Sequence, residues 1–254
     1  MANRRTARRR PADVPSPDHD GRSRRELAVA RSIDSARARA ENRVQRFMDS
    51  AVELINAGAG TDFTVQEVVE RSGQSLRSFY QYFEGKHELL LALFEESVLS
   101  TVDYLRQRLE DEDDPRERLH IFVVEYYQMC RPTVDGVPTR LGANIVMAEF
   151  AWQLVIKHPR EAARAFAPLV AMFRKLVDEA VDAGVVRPDL SSERLLSLVL
   201  GVLMFNVFAL TVGGTSVRDD RAEAAEEAWD VLMRGIAQPG VEPALALAPA
   251  RRRR

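Results

Sequence analysis

Thr64-Val-Gln-Glu-Val-Val-Glu-Arg-Ser-Gly-Gln-Ser-Leu-Arg-Ser-Phe-Tyr-Gln-Tyr-Phe-Glu-Gly-Lys-His-Glu-Leu-Leu90 is the stretch that decides how this chain reads. Thr64 followed three residues on by Glu67 is a capping box, so a helix starts there. Val65, Val68 and Val69 are spaced to face a core, and Gly73 stands where a left-handed backbone ends the helix. Ser75 caps a second helix, expected over residues 76–82, with Phe79 and Phe83 on one face and Arg77, Ser78 and Gln81 on the other. A helix this short is unstable alone, so a packed support behind it and a partner for its outer face are both needed. A helix-turn-helix offering its second helix to the DNA major groove meets both demands.

With the helix expected before it, residues 43–58, this stretch resembles the DNA-binding domain of the TetR family of bacterial transcriptional regulators. The resemblance rests on Thr64, Ser72-Gly73-Gln74-Ser75, Ser78-Phe79-Tyr80-Gln81-Tyr82-Phe83 and Lys86-His87-Glu88-Leu89-Leu90, and spans about a fifth of the chain. It departs from the family pattern at Gln74, where a small apolar residue is usual, and at Arg77, where Gly or Ala is common. The resemblance implies a helical remainder that binds an effector and dimerises through the last two long helices. It also implies that the hydroxyls of Tyr80 and Thr64 hold DNA phosphates.

Composition is that of a soluble globular protein, 46% hydrophobic and 29% charged. A single cysteine, Cys130, excludes an intramolecular disulfide and suits a reducing cytoplasm. The Arg-rich start lacks an apolar segment, so no signal peptide is expected. The net charge of −2 sits oddly with nucleic-acid binding until it is mapped. Residues 1–40 hold eleven Arg against five acids, and the chain ends in Arg251 to Arg254, so the body between is acidic. Basic side chains in the body include Arg43, Arg46, Arg71, Arg77 and Lys86, a locally basic head on an acidic effector domain.

Along the chain the pattern is all-α, about nine helices with no strand signal. Residues 1–35 form an expected disordered basic arm, 36–90 the helix-turn-helix domain, 91–238 the effector and dimerisation domain, and 239–254 a disordered tail. Helices are expected over residues 36–58, 64–73, 76–82, 86–109, 115–130, 139–157, 159–183, 191–212 and 217–237. The run 195–212 is nearly all apolar but just short of the roughly 20 residues that cross a bilayer, so it reads as a buried helix. Dimerisation is expected through Leu203 and Val207 on that helix and Trp229 and Leu232 on the next.

For the reading head, Arg77 is the candidate for direct base reading, since a guanidinium fits the two acceptors of a guanine edge. Ser75, Gln81 and Ser78 are candidate base or phosphate partners, and Leu76 a contact for a thymine methyl. Lys86 opens a helix, where its charge opposes the dipole unless a phosphate lies there. Phe122, Tyr126, Met147, Phe150, Trp152 and Phe173 are candidates to line a pocket for an apolar or aromatic effector. No cofactor, metal or catalytic residue is expected: the four histidines look scattered, and no CxxC, G-x-S-x-G or phosphate loop occurs. The function expected is a cytoplasmic, ligand-responsive repressor that binds a partly palindromic operator as a homodimer. The alternative is a helical interaction protein derived from such a regulator that does not bind DNA.

Overall fold

The computed structural model describes residues 23–130, 144–212 and 221–237. Among them nine α-helices follow one another, with a short π-helical turn after the first. They are α1 (Arg24–Leu54), α2 (Val65–Ser72), α3 (Leu76–Phe79), α4 (Lys86–Arg108), α5 (Pro115–Cys130), α6 (Asn144–Lys157), α7 (Pro159–Asp182), α8 (Ser192–Val212) and α9 (Arg221–Ile236). The only sheet-like pairing among the described residues is an isolated bridge between Val186 and Ala237. The all-α expectation holds.

The chain divides into two compact units, residues 1–45 and 46–254. In the first, α1 begins at Arg24, well before residue 36, which corrects the expected arm over 1–35 for its described part. The reason is a capping box: Glu26 Oε2 accepts from the Ser23 amide at 2.7 Å, and Ser23 Oγ accepts from the Glu26 amide at 3.2 Å. The Arg37–Glu41 pair at 2.7 Å adds one turn of side-chain support.

In the second unit, α1 is followed by a π-helical turn, Ile55–Ala59, broken at Gly58, whose φ of 94° no β-carbon residue adopts readily. Phe47, Ala51 and Leu54 from its last turns join Phe63, Val68, Val69, Phe79 and Phe83 in one buried cluster. Beyond it, α4 packs on α5, α6 and α7, and α5 packs on α7, α8 and α9. Phe122 stacks on Phe173 at 4.8 Å, and Leu105, Leu119, Leu169 and Leu176 are buried as fully. Polar clamps join the layers at their rims: Tyr104 and Arg108 both reach Glu125 at 2.8 Å, and His120 reaches Glu226 at 2.8 Å. Among the described residues, no helix is long and apolar enough to cross a membrane.

Candidate nucleic-acid interface and effector cavity

The helix-turn-helix is built by the local signals its sequence carries. Thr64 Oγ1 accepts from the Glu67 amide at 3.2 Å, while Glu67 Oε2 accepts from the Thr64 amide at 2.6 Å and from the Thr64 hydroxyl at 2.8 Å. The hydroxyl's only proton is therefore donated to Glu67, and a phosphate would have to displace that carboxylate to receive it. The Thr64 amide, and then the hydroxyl, hold the Glu67 carboxyl below its usual pKa. Gly73 closes α2 at φ 65°, ψ 25°, as the left-handed stop requires. Ser75 Oγ then accepts from the Ser78 amide at 3.1 Å and opens α3.

As an α-helix, α3 covers Leu76–Phe79, less than the expected 76–82; Tyr80 to Tyr82 continue it as tight turns. Phe79 is fully buried, with Phe47 at 5.3 Å, Phe83 at 5.4 Å and the Tyr80 ring at 5.5 Å. Against that brace Leu76, Arg77, Tyr80 and Gln81 are exposed, with Leu76 at 43% and Tyr80 at 57%. Ser78 is a correction to the expected outer face: its Oγ is buried without a hydrogen-bond partner. Ser78 sits about 100° round α3 from Phe79, so it lies on the flank of the packed face and is only partly exposed.

Lys86, the first residue of α4, has a structural partner after all, since its Nζ lies 5.1 Å from the centre of the Phe63 ring. That cation–π contact holds the ammonium beside the reading head. Arg71 at the end of α2 lies 3.5 Å from Glu53.

A cavity of about 100 Å³ lies between α4, α5, α6 and α7, lined among others by Phe94, Thr101, Tyr126, Cys130, Met147 and Phe166. Of the six effector candidates, it brings together Tyr126 and Met147. Phe122 and Phe173 stack in the core, Phe150 packs against His87 and Phe94, and Trp152 is 50% exposed. The Trp152 reading is thereby corrected: in α6 it follows Phe150 and Ala151, which point inward, and faces out. Phe94, Ser97 and Thr101 were missed, although α4 shows them at helical spacing. The Cys130 thiol is pushed up to about 12 by burial, partly offset by a hydrogen bond with Tyr126. Burial and that same contact hold the Tyr126 hydroxyl well above its usual value.

The expected dimer residues divide in the same way. Trp229 is 5% exposed and lies 5.1 Å from the His120 ring, inside the chain's own core. Leu232 lines a small internal gap with Leu119, Val123 and Phe173. Leu203 and Val207 fall where the side chains of α8 lie outside the described residues. Among the described side chains, the large apolar ones that α8 and α9 present outward are Leu198, Val202 and Val231, at 66%, 51% and 71% exposure.

The histidines are less scattered in space than in sequence. His87 and His158, distant in sequence, stand with ring centres 4.5 Å apart, and Glu161 reaches both, at 2.8 Å and 3.7 Å. The spacing His158-x-x-Glu161 at a helix start was the legible half of that cluster.

With this geometry in place, likeness to known proteins can be stated. Residues 47–93 match the family described as "Bacterial regulatory proteins, tetR family". The HTH-type transcriptional regulator YvdT of Bacillus subtilis is 22% identical over 54% of this chain and 66% of its own. The HTH-type transcriptional activator FasR of Mycolicibacterium smegmatis is 33% identical over 39% of this chain and 44% of its own. These curated relatives are thus matched over roughly half to two thirds of their length. Among solved structures, FadR from Bacillus subtilis in complex with stearoyl-CoA superposes with a TM-score of 0.59 at 15% identity, over 76% of this chain and 98% of that one. SmeT, the repressor of a Stenotrophomonas maltophilia multidrug efflux pump, gives a TM-score of 0.56 at 15% identity, over 81% of this chain and 96% of that one.

The fold and the helix-turn-helix are similar to those of TetR-type regulators. Residues 47–93 match that family's N-terminal domain model, and the described helices follow the fold of the solved structures above.

Proposed function

We propose that this protein is a DNA-binding transcriptional regulator, a repressor, that holds a partly palindromic operator as a homodimer and is released by an apolar effector. The observation that carries the reading is the exposed strip Leu76, Arg77, Tyr80 and Gln81 on a short helix braced from behind by the buried Phe79. A polar, cationic outer face on an element that short serves recognition, since it adds nothing to the core. Arg77 reads a base edge, while Tyr80 and Lys86 hold phosphates and set the register.

The homodimer reading draws support from Leu198, Val202 and Val231, which leave an apolar outer face on the last two long helices. Two reading heads related by a two-fold axis would call for half-sites about one helical turn of DNA apart.

The effector reading draws on the cavity between α4 and α7. Its lining is mostly apolar, with Ser97 and Thr101 as orienting hydroxyls. At about 100 Å³ it is well below the roughly 300–1,000 Å³ of an occupied ligand site, so a ligand has to spread α4 from α5–α7. FadR's complex with stearoyl-CoA, on the same fold, supports an acyl chain as one class of occupant. Because α4 starts at Lys86, spreading it moves a phosphate contact, and DNA affinity falls by the ligand's differential affinity for the two forms.

The test is a mobility-shift titration of random duplex DNA at graded salt. Binding that weakens linearly in log–log form supports the reading, and a folded protein that ignores duplex at low salt refutes it in favour of a protein-binding helical module.

A further inference from the structure

His87, His158 and Glu161 meet where the start of α4 lies beside the α6–α7 junction. His87 is the second residue of α4, His158 immediately precedes α7, and Glu161 lies in its first turn. Glu161 Oε2 is 2.8 Å from His87 Nε2, and its Oε1 is 3.7 Å from His158 Nδ1. One donor atom from each of the three residues lies within 4.8 Å of the other two.

Several observations separate this cluster from an ordinary surface ion pair. Two imidazoles stand face to face, 4.5 Å apart and tilted by 34°, each presenting a nitrogen to the same carboxylate. His158 occupies the N-cap of α7, a position that Ser, Thr, Asp or Asn fills to satisfy free amides, yet its side chain makes no capping bond. Arg164, one turn on, lies 3.4 Å from Glu95, so that cation has a carboxylate of its own. The three side chains are 45%, 44% and 34% exposed, open to an entering ion and to water. One flank is closed by the Phe150 ring, 5.8 Å from His87, which supplies the apolar wall that tunes such sites.

We propose that His87, His158 and Glu161 form a binding site for a divalent transition metal of the Zn²⁺ class, with water completing the coordination. Two imidazoles and one carboxylate suit Zn²⁺, Co²⁺ or Ni²⁺ and disfavour the all-oxygen preference of Mg²⁺ and Ca²⁺. Tetrahedral bonds of about 2.0–2.1 Å place donors roughly 3.4 Å apart, so on loading the 2.8 Å His87–Glu161 pair opens and the more widely spaced donors, all within 4.8 Å, close in, both by side-chain rotation. A bound ion ties α4 to α7 one residue beyond Lys86 and holds the start of α4 in a single register. Metal binding stands independently of the DNA-binding reading; only the consequence for DNA affinity rests on it.

The experiment uses the full chain, freed of metal by a chelator and titrated with Co²⁺, with Zn²⁺ as competitor. The wild type is expected to take one Co²⁺ at this site with the intense visible bands of a low-coordinate ion, and to lose them to Zn²⁺. His87→Ala and Glu161→Gln weaken that binding by at least about tenfold. His158→Asn, which supplies a good N-cap and so protects folding, does the same, while His120→Gln leaves it unchanged. Absence of low-coordinate bands in the wild type, or equal affinity in His158→Asn, overturns the site. Metal binding that is intact but leaves DNA affinity unmoved overturns only the coupling, whereas loss of DNA binding in every state overturns the regulator reading.

Discussion

Phe47 on the last turns of α1 and Phe79 at the end of α3 meet edge to face, ring centres 5.3 Å apart and planes at 83°. Both are fully buried, so one contact joins the helix that supports the domain to the helix that faces outward. Phe79→Ala should cost about 3–5 kcal/mol, the range for an aromatic removed from a packed core. Urea unfolding of the two proteins checks it. A loss below about 1 kcal/mol would mean that α3 is held by something else.

The exposed face predicts two kinds of DNA defect. Tyr80→Phe and Lys86→Ala should weaken binding to all duplexes alike, with Lys86→Ala also lowering the salt slope by about one. Arg77→Ala should instead relax preference at one base position, worth about 1–3 kcal/mol of discrimination. Competition titrations with sets of single-base operator variants separate the two outcomes. Unchanged sequence preference in Arg77→Ala removes its base-reading role.

His120 predicts a pH dependence of stability. Burial pulls its pKa down, but hydrogen bonds and charge from Glu117 at 3.0 Å and Glu226 at 2.8 Å outweigh this and hold it above 6.5. A group raised in the folded state gives its full stabilisation below the unfolded value and loses it as pH rises through the folded value. Thermal midpoints of wild type and His120→Gln should therefore converge as pH climbs from 6.5 upward. A gap that widens with pH contradicts the α5–α9 clamp.

Cys130 should be chemically quiet. With its thiol raised to about 12, almost no thiolate exists near neutral pH, which argues against redox sensing. Labelling by a maleimide in the native protein at pH 8 should be slower than in urea by at least about tenfold. Because Cys130 lines the cavity, a bound effector should slow it further. Equal native and unfolded rates would contradict the burial.

How much of this was legible in the sequence depends on whether the signal is local. The caps at Thr64 and Ser75, the stop at Gly73 and the buried face of Phe79 and Phe83 are set by residues three to five apart, and each stands as read. The start of α1 was equally legible, because Ser23 and Glu26 form the same capping box as Thr64 and Glu67. Ser78, Trp152 and Trp229 failed for another reason. Which way a side chain turns on a helix is settled by neighbours remote in sequence, and apolar character alone placed both tryptophans where they are not. The His87–His158–Glu161 cluster is the same case, since only packing of α4 on α7 brings its halves together.

The most direct test of the central claim is selection from a random duplex pool by the full-length protein at low ionic strength. The account predicts enrichment of a partly palindromic site with half-sites about 10 base pairs apart, bound more weakly by Arg77→Ala than by the wild type. A folded protein that enriches nothing and shifts no duplex contradicts it.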